Sequence, residues 1–509
     1  MKTFLKFIDG KLNTITMYRL ILYYLLSIFA LAVVLGFLHI ISYNPYYLLA
    51  QGGFITAVAY LTNIIFSKTF KAPANIESVY ITAMILTLIT TPDSPSSSIW
   101  FYLWAGVLSM SSKYILSINK KHIFNPAAIA MVITSFAIGR SADWWAGGTF
   151  ALLPLVFLGG LLIVRKIRRT DLVLSFLIAF VISTIVSVSL KGGNIFNTLS
   201  QAILHSSLFF FAFVMITEPL TTPPSRALRI IYGAIVGVLF LPTINFLSIY
   251  STPELALVIG NIFSYVVSPK GKYFLTLRER KEIAKDTYDF SFDTENKNKF
   301  KAGQYLEWTL PHDRRADARG NRRYFTIASS PTESGIHMGV KFYPEPSTFK
   351  QELLGMKVGE TMSAGAIAGD FVLPNDKNKK LVFIAGGIGV TPFRSMVKYL
   401  SDTGEKRDVV CFYSNKAIDE VAYTEVFDEA VDKFNLKMVY ALTDNIPENW
   451  RGGRGFVNAE MIMKEVPDYK ERYFYISGPH GMVSAFQTSL AQMGVPASQI
   501  KTDFFPGFA

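Results

Sequence analysis

The chain has 509 residues, too many for one ordinary domain; half are hydrophobic and only 17% are charged, against about 25% in a soluble domain, so much of it is expected in lipid. The one cysteine, Cys411, excludes an iron–sulfur cluster, a structural zinc or an intrachain disulfide held by this chain alone. The net charge of +12 is uneven: residues 1–268 hold 17 Lys+Arg against 7 Asp+Glu and the rest 33 against 31, a membrane-loop pattern and not a nucleic-acid footprint.

In chain order, the first apolar stretch, Met17 to Ile41, is long enough to span a bilayer and has no small-residue cleavage site after it, so no cleavable signal peptide is expected. About ten spans are predicted, near 17–42, 47–67, 76–91, 98–112, 124–139, 147–164, 171–190, 199–217, 229–247 and 253–267, with some short enough to be re-entrant or broken. With the N-terminus inside, fifteen basic residues collect on the cytoplasmic side, among them Lys113, Lys120, Lys121, Arg165, Lys166, Arg168, Arg169, Arg226 and Arg229. Only Arg140 and Lys191 fall outside. That bias sets the orientation, and an even number of crossings returns the chain to the cytoplasm. The reading is a multi-pass protein of the inner (cytoplasmic) membrane with both termini inside. Glu77 and Glu218 lie at predicted helix ends, and His39 and His205 read as satisfied core histidines. His39, His122 and His205 lack the spacing that would grip two haems.

Two segments of this half carry a resemblance. Phe124-Asn125-Pro126-Ala127-Ala128 follows Lys120-Lys121-His122, and Met215-Ile216-Thr217-Glu218-Pro219-Leu220-Thr221-Thr222-Pro223-Pro224 precedes Arg226. Each also reads as a plain helix break. With the helix pattern, they resemble the flavin-carrying membrane subunits D of Rnf and B of sodium-translocating NADH:quinone reductase complexes. Those subunits attach FMN to a threonine in a Ser-Gly-Ala-Thr segment. Here the nearest region is Trp144-Trp145-Ala146-Gly147-Gly148-Thr149, so covalent attachment is not expected, and non-covalent FMN, riboflavin or a quinone stays open for the membrane part.

Past the polar hinge at Ser268-Pro269-Lys270-Gly271-Lys272 the texture becomes strands, turns and amphipathic helices. Three domains are expected: a transmembrane helical domain over 1–268, a flavin-binding antiparallel β-barrel over 269–376, and an α/β nucleotide-binding domain over 377–509. Phe274–Glu282 and Thr287–Phe292 alternate as barrel strands. Arg314, Arg315, Arg319 and Arg322 form a basic cluster, read first as a solvated surface. Next comes Arg323-Tyr324-Phe325-Thr326-Ile327-Ala328-Ser329-Ser330-Pro331, then Glu345-Pro346-Ser347-Thr348-Phe349 before Gln351-Glu352-Leu353-Leu354. The buried strand Lys380–Ala385 leads into Gly386-Gly387-Ile388-Gly389-Val390-Thr391-Pro392-Phe393, a turn through which backbone can approach a pyrophosphate at a helix N-terminus. Downstream stand Val409–Asn415 and Tyr473-Phe474-Tyr475-Ile476-Ser477-Gly478-Pro479-His480-Gly481-Met482.

Together these motifs resemble the ferredoxin–NADP reductase superfamily. The resemblance implies non-covalent FAD at Arg323, Phe325 and Thr326, where an arginine fork meets pyrophosphate, an aromatic packs on the isoalloxazine, and a hydroxyl reaches N5. Phe325 stands where the family has tyrosine, and Ser477 where it has cysteine, which leaves Cys411 as a buried strand residue. Ser347 and Thr348 read equally as helix caps or as phosphate ligands. Gly386, Gly387, Gly389, Thr391, Pro392, Gly478, Pro479 and Met482 are the nucleotide candidates, Lys341 is a further cofactor candidate, and the terminal Phe505 or Phe508 is expected against the flavin. Thr326, Ser477 and Asp503 are the candidate catalytic residues.

The function read from the sequence is an NAD(P)H:acceptor oxidoreductase of electron transport, passing electrons through FAD to a quinone, a second flavin or a partner redox protein. NADH is preferred over NADPH because Ser414-Asn415-Lys416 lacks an arginine cluster for a 2′-phosphate. Two alternatives stand beside it: a redox-driven Na⁺ or H⁺ translocating subunit, and an inactive membrane anchor or assembly subunit. No nucleic-acid partner and no metal are expected.

Overall fold

The computed structural model describes residues 15–70, 76–118, 121–241, 245–246, 249–268, 273–294, 300–310, 321–365, 367–434 and 436–503, with Ile8 and Leu12. Phe505, Phe508, Arg314, Arg315 and Arg319 lie outside them. The chain forms two compact units, Met1–Gly271 and Lys272–Ala509.

The first unit is helical. Met17–Phe37, Pro45–Thr69, Phe150–Ile167 and Thr170–Leu190 are long and apolar enough to cross a membrane by length and composition. Three of the predicted spans are shorter: Ile76–Ile89, Pro126–Ile138 and Pro253–Val267 are apolar helices of 14, 13 and 15 residues. At 1.5 Å per residue each covers about 20 Å, less than the ~30 Å of hydrocarbon. The span expected at 199–217 is broken. Ile195–His205 and Leu208–Met215 meet at 63°, because Ser206 turns extended and its hydroxyl accepts from Leu208 N at 3.2 Å to start the second piece. The span expected at 229–247 stops as helix Arg226–Leu239, ahead of Pro242, which disfavours helix in the residue before it. His39 and His205 are exposed, not core residues, because both sit where a helix ends.

Ion pairs stand among the described residues of this unit. Arg19 meets Glu77 at 2.9 Å, Arg229 meets Asp171 at 2.7 Å, and Arg140 meets Asp93 at 3.0 Å. Arg229 and Asp171 are mostly buried, where unpaired charge is costly, and their link joins helices Thr170–Leu190 and Arg226–Leu239.

The second unit has two sheets. Six strands, β1 (Tyr273–Ala284), β2 (Thr287–Asp293), β3 (Tyr305–Thr309), β4 (Arg322–Thr326), β5 (Ile336–Lys341) and β6 (Thr361–Ala364), form an antiparallel sheet in the order β4-β3-β6-β1-β2-β5. Its apolar face gathers Leu275, Phe290, Phe292, Leu306, Trp308, Met338 and Phe349, all fully buried. The other six, β7 (Leu381–Gly386), β8 (Val409–Asn415), β9 (Lys437–Leu442), β10 (Gly453–Arg454), β11 (Tyr473–Ser477) and β12 (Ile500–Asp503), are all parallel, in the order β10-β9-β8-β7-β11-β12. Strand β7 is central and buried throughout, as expected of a strand covered on both faces. Cys411 lies in β8, and burial pushes its thiol well above the usual range, so it stays protonated.

The entrances of β7 and β11 are clamped by charge. Buried Arg472 donates to both oxygens of Asp408 (2.7 and 2.9 Å) and to Asp468 (2.7 Å), which also accepts from Lys380 (2.7 Å). The bond from Arg472, opposed by partial burial and helped by Lys380, holds the Asp468 carboxyl at about 2. A folded value below the unfolded one, near 4, stabilises the fold above that pH and is lost as pH falls through the folded value. Water screening of this partly exposed group reduces the contribution to about 1 kcal/mol. Asp468→Asn is therefore expected to lower stability by about 1 kcal/mol at neutral pH and to lose that deficit between about pH 4 and pH 2, read by thermal unfolding across pH.

Candidate functional site

Strand β4 places the flavin-motif residues. Arg323 and Thr326 are buried on it and Phe325 is half-buried. The Arg323 guanidinium lies 5.3 Å from the Phe349 ring centroid and donates to Arg322 O at 2.7 Å, while the Phe325 and Phe349 rings are 5.9 Å apart. Phe349 belongs to helix Thr348–Gly355, which Ser347 caps by accepting from Lys350 N at 3.4 Å. Cation, two aromatics and a helix N-terminus are thus gathered in one place, a donor set suited to a phosphate-bearing, flat ligand. Ser347 acts as a cap here, as half of its expected reading allowed.

The second group sits at the C-terminal edge of the parallel sheet, where ligands of such sheets bind. After β7 the chain makes a tight turn over Gly387–Val390 and enters helix Thr391–Thr403, with Pro392 in its first turn. A Cβ on Gly389 would lie 2.5 Å from Ser477 O and 2.6 Å from Gly478 Cα, and one on Gly386 would strike Met482 and Pro479. The glycines are required because the 477–482 segment presses on the turn. Thr391 is occupied locally, its hydroxyl donating to Ile388 O at 3.2 Å.

The three candidate catalytic residues converge. Ser477 pairs with Ala385 across β7–β11 and with Asp503 across β11–β12. The Asp503 carboxylate in turn accepts from the Thr326 hydroxyl at 3.3 Å. A continuous path therefore runs from the glycine turn through Ser477 and Asp503 to the flavin motif on β4. Lys341 stands apart from that path: its ammonium pairs with Glu420 at 2.7 Å.

Several polar residues at the seam between the two sheets carry no motif and were not foreseen. Asp289 accepts from His337 Nδ1 and from Tyr423 OH, both at 2.7 Å. Burial alone would raise the Asp289 carboxyl, but the bonds from His337 and Tyr423 and the charges of His337 and Arg394 outweigh it and hold it below the usual range. Arg394 is buried and pairs with Glu333, donating also to Ala328 O at 3.1 Å, and the Ser395 hydroxyl donates to Ser329 O at 2.6 Å. Residues so far apart in sequence share no local signal.

In the helical unit the two motif segments also meet. Asn125 caps helix Pro126–Ile138, accepting from Ala127 N and Ala128 N at 3.1 Å, and its own N–H donates to Asn261 Oδ1 at 2.8 Å. Asn261 reaches Tyr232 OH at 3.1 Å and Thr221 O at 3.5 Å. Glu218 accepts from Thr221 Oγ1 at 3.2 Å and lies 3.2 Å from His122 Nε2. Sequence reading overlooked Glu254, which is buried and accepts from Trp144 Nε1 at 3.0 Å. The Thr252-Pro253-Glu254 helix start was its available signal.

Comparison with known proteins agrees with both halves of the sequence reading. Residues 145–269 match the NQR2, RnfD, RnfE family, residues 274–372 the oxidoreductase FAD-binding domain, and residues 383–488 the oxidoreductase NAD-binding domain. A component of the Na⁺-translocating NADH-quinone reductase of Methylococcus capsulatus is 28% identical over 235 residues, 43% of this chain and 56% of the relative. NADH-cytochrome b5 reductase 1 of Ajellomyces capsulatus is 29% identical over 34% of this chain and 58% of its own. The flavohemoprotein of Oceanobacillus iheyensis is 28% identical over 40% and 51%. The chain thus spans little more than half the length of these relatives. Among solved structures, the cytochrome b5 reductase domain of Ulva prolifera nitrate reductase matches with a TM-score of 0.40 and 19% identity, over 46% of this chain and 98% of its own.

Proposed function

We propose that this chain, an NQR2/RnfD/RnfE-type membrane domain joined to FAD-binding and NAD-binding oxidoreductase domains, takes electrons from cytoplasmic NADH through FAD to an acceptor at or in the inner membrane. The observation that carries it is the unbroken path from Gly386–Gly389 through Ser477 and Asp503 to Thr326. The division is a membrane domain to 268, a flavin barrel over 269–376 and a nucleotide domain from 377.

Flavin bound at β4 would accept a hydride and pass the electrons on singly. Arg323 supplies the cation for its pyrophosphate and the Ser347–Phe349 helix start supplies amides. Phe325, half-buried and backed by the buried Phe349 ring, offers an apolar face on which a flat ring packs. Asp503 holds the Thr326 hydroxyl in one orientation at the seam, so the group facing the ring is fixed before ligand arrives. The turn at Gly386–Pro392 and the Gly478–Met482 segment position the nicotinamide nucleotide. The acceptor is a quinone, a second flavin or a partner redox protein.

The test is the absorbance spectrum of the detergent-purified full chain, with flavin extraction, before and after NADH. One releasable FAD per chain, bleached by NADH, is the expected result. Colourless protein, or flavin indifferent to both NADH and NADPH, removes the reading.

A further inference from the structure

The segment before helix Thr424–Phe434 lies across the antiparallel sheet at several points. Lys285 N donates to Asp419 O at 2.8 Å, Lys341 pairs with Glu420 at 2.7 Å, and Tyr423 donates to Asp289 at 2.7 Å. Tyr423 has φ of +62°, a left-handed conformation uncommon for a bulky residue and held only where the surroundings enforce it. Its carbonyl accepts from Val426 N at 3.1 Å at the helix start, a position that favours Ser, Thr, Asp or Asn. A tyrosine side chain caps nothing there, so helix formation does not account for it. The phenol is spent across the seam.

Its socket is cut to receive it. Gly339 on β5 stands opposite Asp289 on β2, and a Cβ on Gly339 would lie 2.5 Å from Tyr423 OH, 2.8 Å from Thr391 Cγ2 and 3.3 Å from Ile388 Cδ1. The notch therefore accepts the Tyr423 hydroxyl and the base of the nucleotide turn side by side. Burial and the neighbouring Asp289 push the phenol well above its usual range, so it stays a donor. The Arg394 guanidinium lies over the Tyr423 ring, 5.6 Å from its centroid.

We propose that Tyr423 is a positioning residue: seated in the Gly339 notch and hydrogen-bonded to Asp289, it sets the separation between the nucleotide turn and the antiparallel sheet whose strand β4 carries the flavin motif. This deepens the proposed reductase function and rests on it. Tyr423 touches no reacting atom in this scheme; it acts through Ile388 and Thr391.

The experiment uses the full chain in detergent, as wild type, Tyr423→Phe, Gly339→Ala and the double variant. Flavin reduction by NADH is followed by rapid mixing, and amide hydrogen exchange is followed at residues 337–341 and 386–391. Tyr423→Phe is expected to keep its flavin and its half-saturating NADH concentration while the limiting reduction rate falls roughly ten- to a hundredfold. Exchange should rise in both segments. Gly339→Ala should cost less in the Tyr423→Phe background than alone, because the hydroxyl it collides with is gone. A Tyr423→Phe protein with wild-type limiting rate and wild-type exchange overturns the proposal, as do strictly additive effects. If wild type shows no NADH-dependent reduction, the reductase reading falls, and the exchange data alone still decide whether Tyr423 holds the seam.

Discussion

Arg323→Ala is expected to release the flavin. Arg323 is the buried cation of β4, held against the Phe349 ring beside a helix N-terminus. A hydrogen bond to a charged group is worth about 1.5–3 kcal/mol, so its loss weakens flavin affinity roughly ten- to 150-fold, before counting the phosphate charge left unmatched. The variant should purify pale, recover colour only with added FAD, and show NADH-dependent dye reduction that rises with FAD concentration. Arg323→Lys keeps the charge but not the planar fork, and should fall between the two. A fully yellow Arg323→Ala protein of wild-type activity would remove β4 from the cofactor site.

Gly389→Ala is expected to abolish most NADH-dependent flavin reduction while sparing flavin content. The added methyl would sit 2.5 Å from Ser477 O and 2.6 Å from Gly478 Cα, and these are backbone atoms that no rotamer change removes. Carbon contacts are comfortable near 3.5–4.0 Å, so the turn and the 477–478 segment must part by about an ångström. Overpacking of this kind costs about 1–3 kcal/mol in stability. A displacement of about 1 Å in a reacting geometry costs on the order of a hundredfold in rate. Rapid-mixing reduction by NADH against reduction by dithionite separates the two effects, since dithionite needs no nucleotide site. Equal NADH and dithionite reduction in the variant would show that the turn does not hold the nucleotide.

Both experiments probe residues whose types were legible before any fold was known. The Arg323-x-Phe325-Thr326 strand, the glycine turn before Thr391-Pro392 and the Ser477–Met482 segment are local patterns, because strand, turn and helix N-terminus are each specified by a few consecutive residues. Lys341 shows the limit of such reading: it is counted with the cofactor residues, and its pairing with Glu420 was not foreseen. A lone lysine has no spacing that reveals what it will face.

The helical half shows a second limit. Hydropathy locates apolar stretches well, since lipid demands them, but it averages over breaks. The turn at Ser206 and the end of helix at Leu239 fall inside windows that look continuous. Glu254 was missed because one carboxylate barely changes the mean of an apolar segment, although in three dimensions it is buried against Trp144.

By itself, then, the amino-acid order determined that one half is apolar helix and the other alternates strands with amphipathic helices, because burial period and turn chemistry act over a few residues. Which distant groups meet was decided only by tertiary packing: Thr326 with Asp503, Asp289 with His337 and Tyr423, Asn125 N–H with Asn261. Those pairs are 48 to 177 positions apart, and no local propensity acts over such a distance. Closing the chain brings them together, and the requirement that buried polar groups be paired then selects the partner.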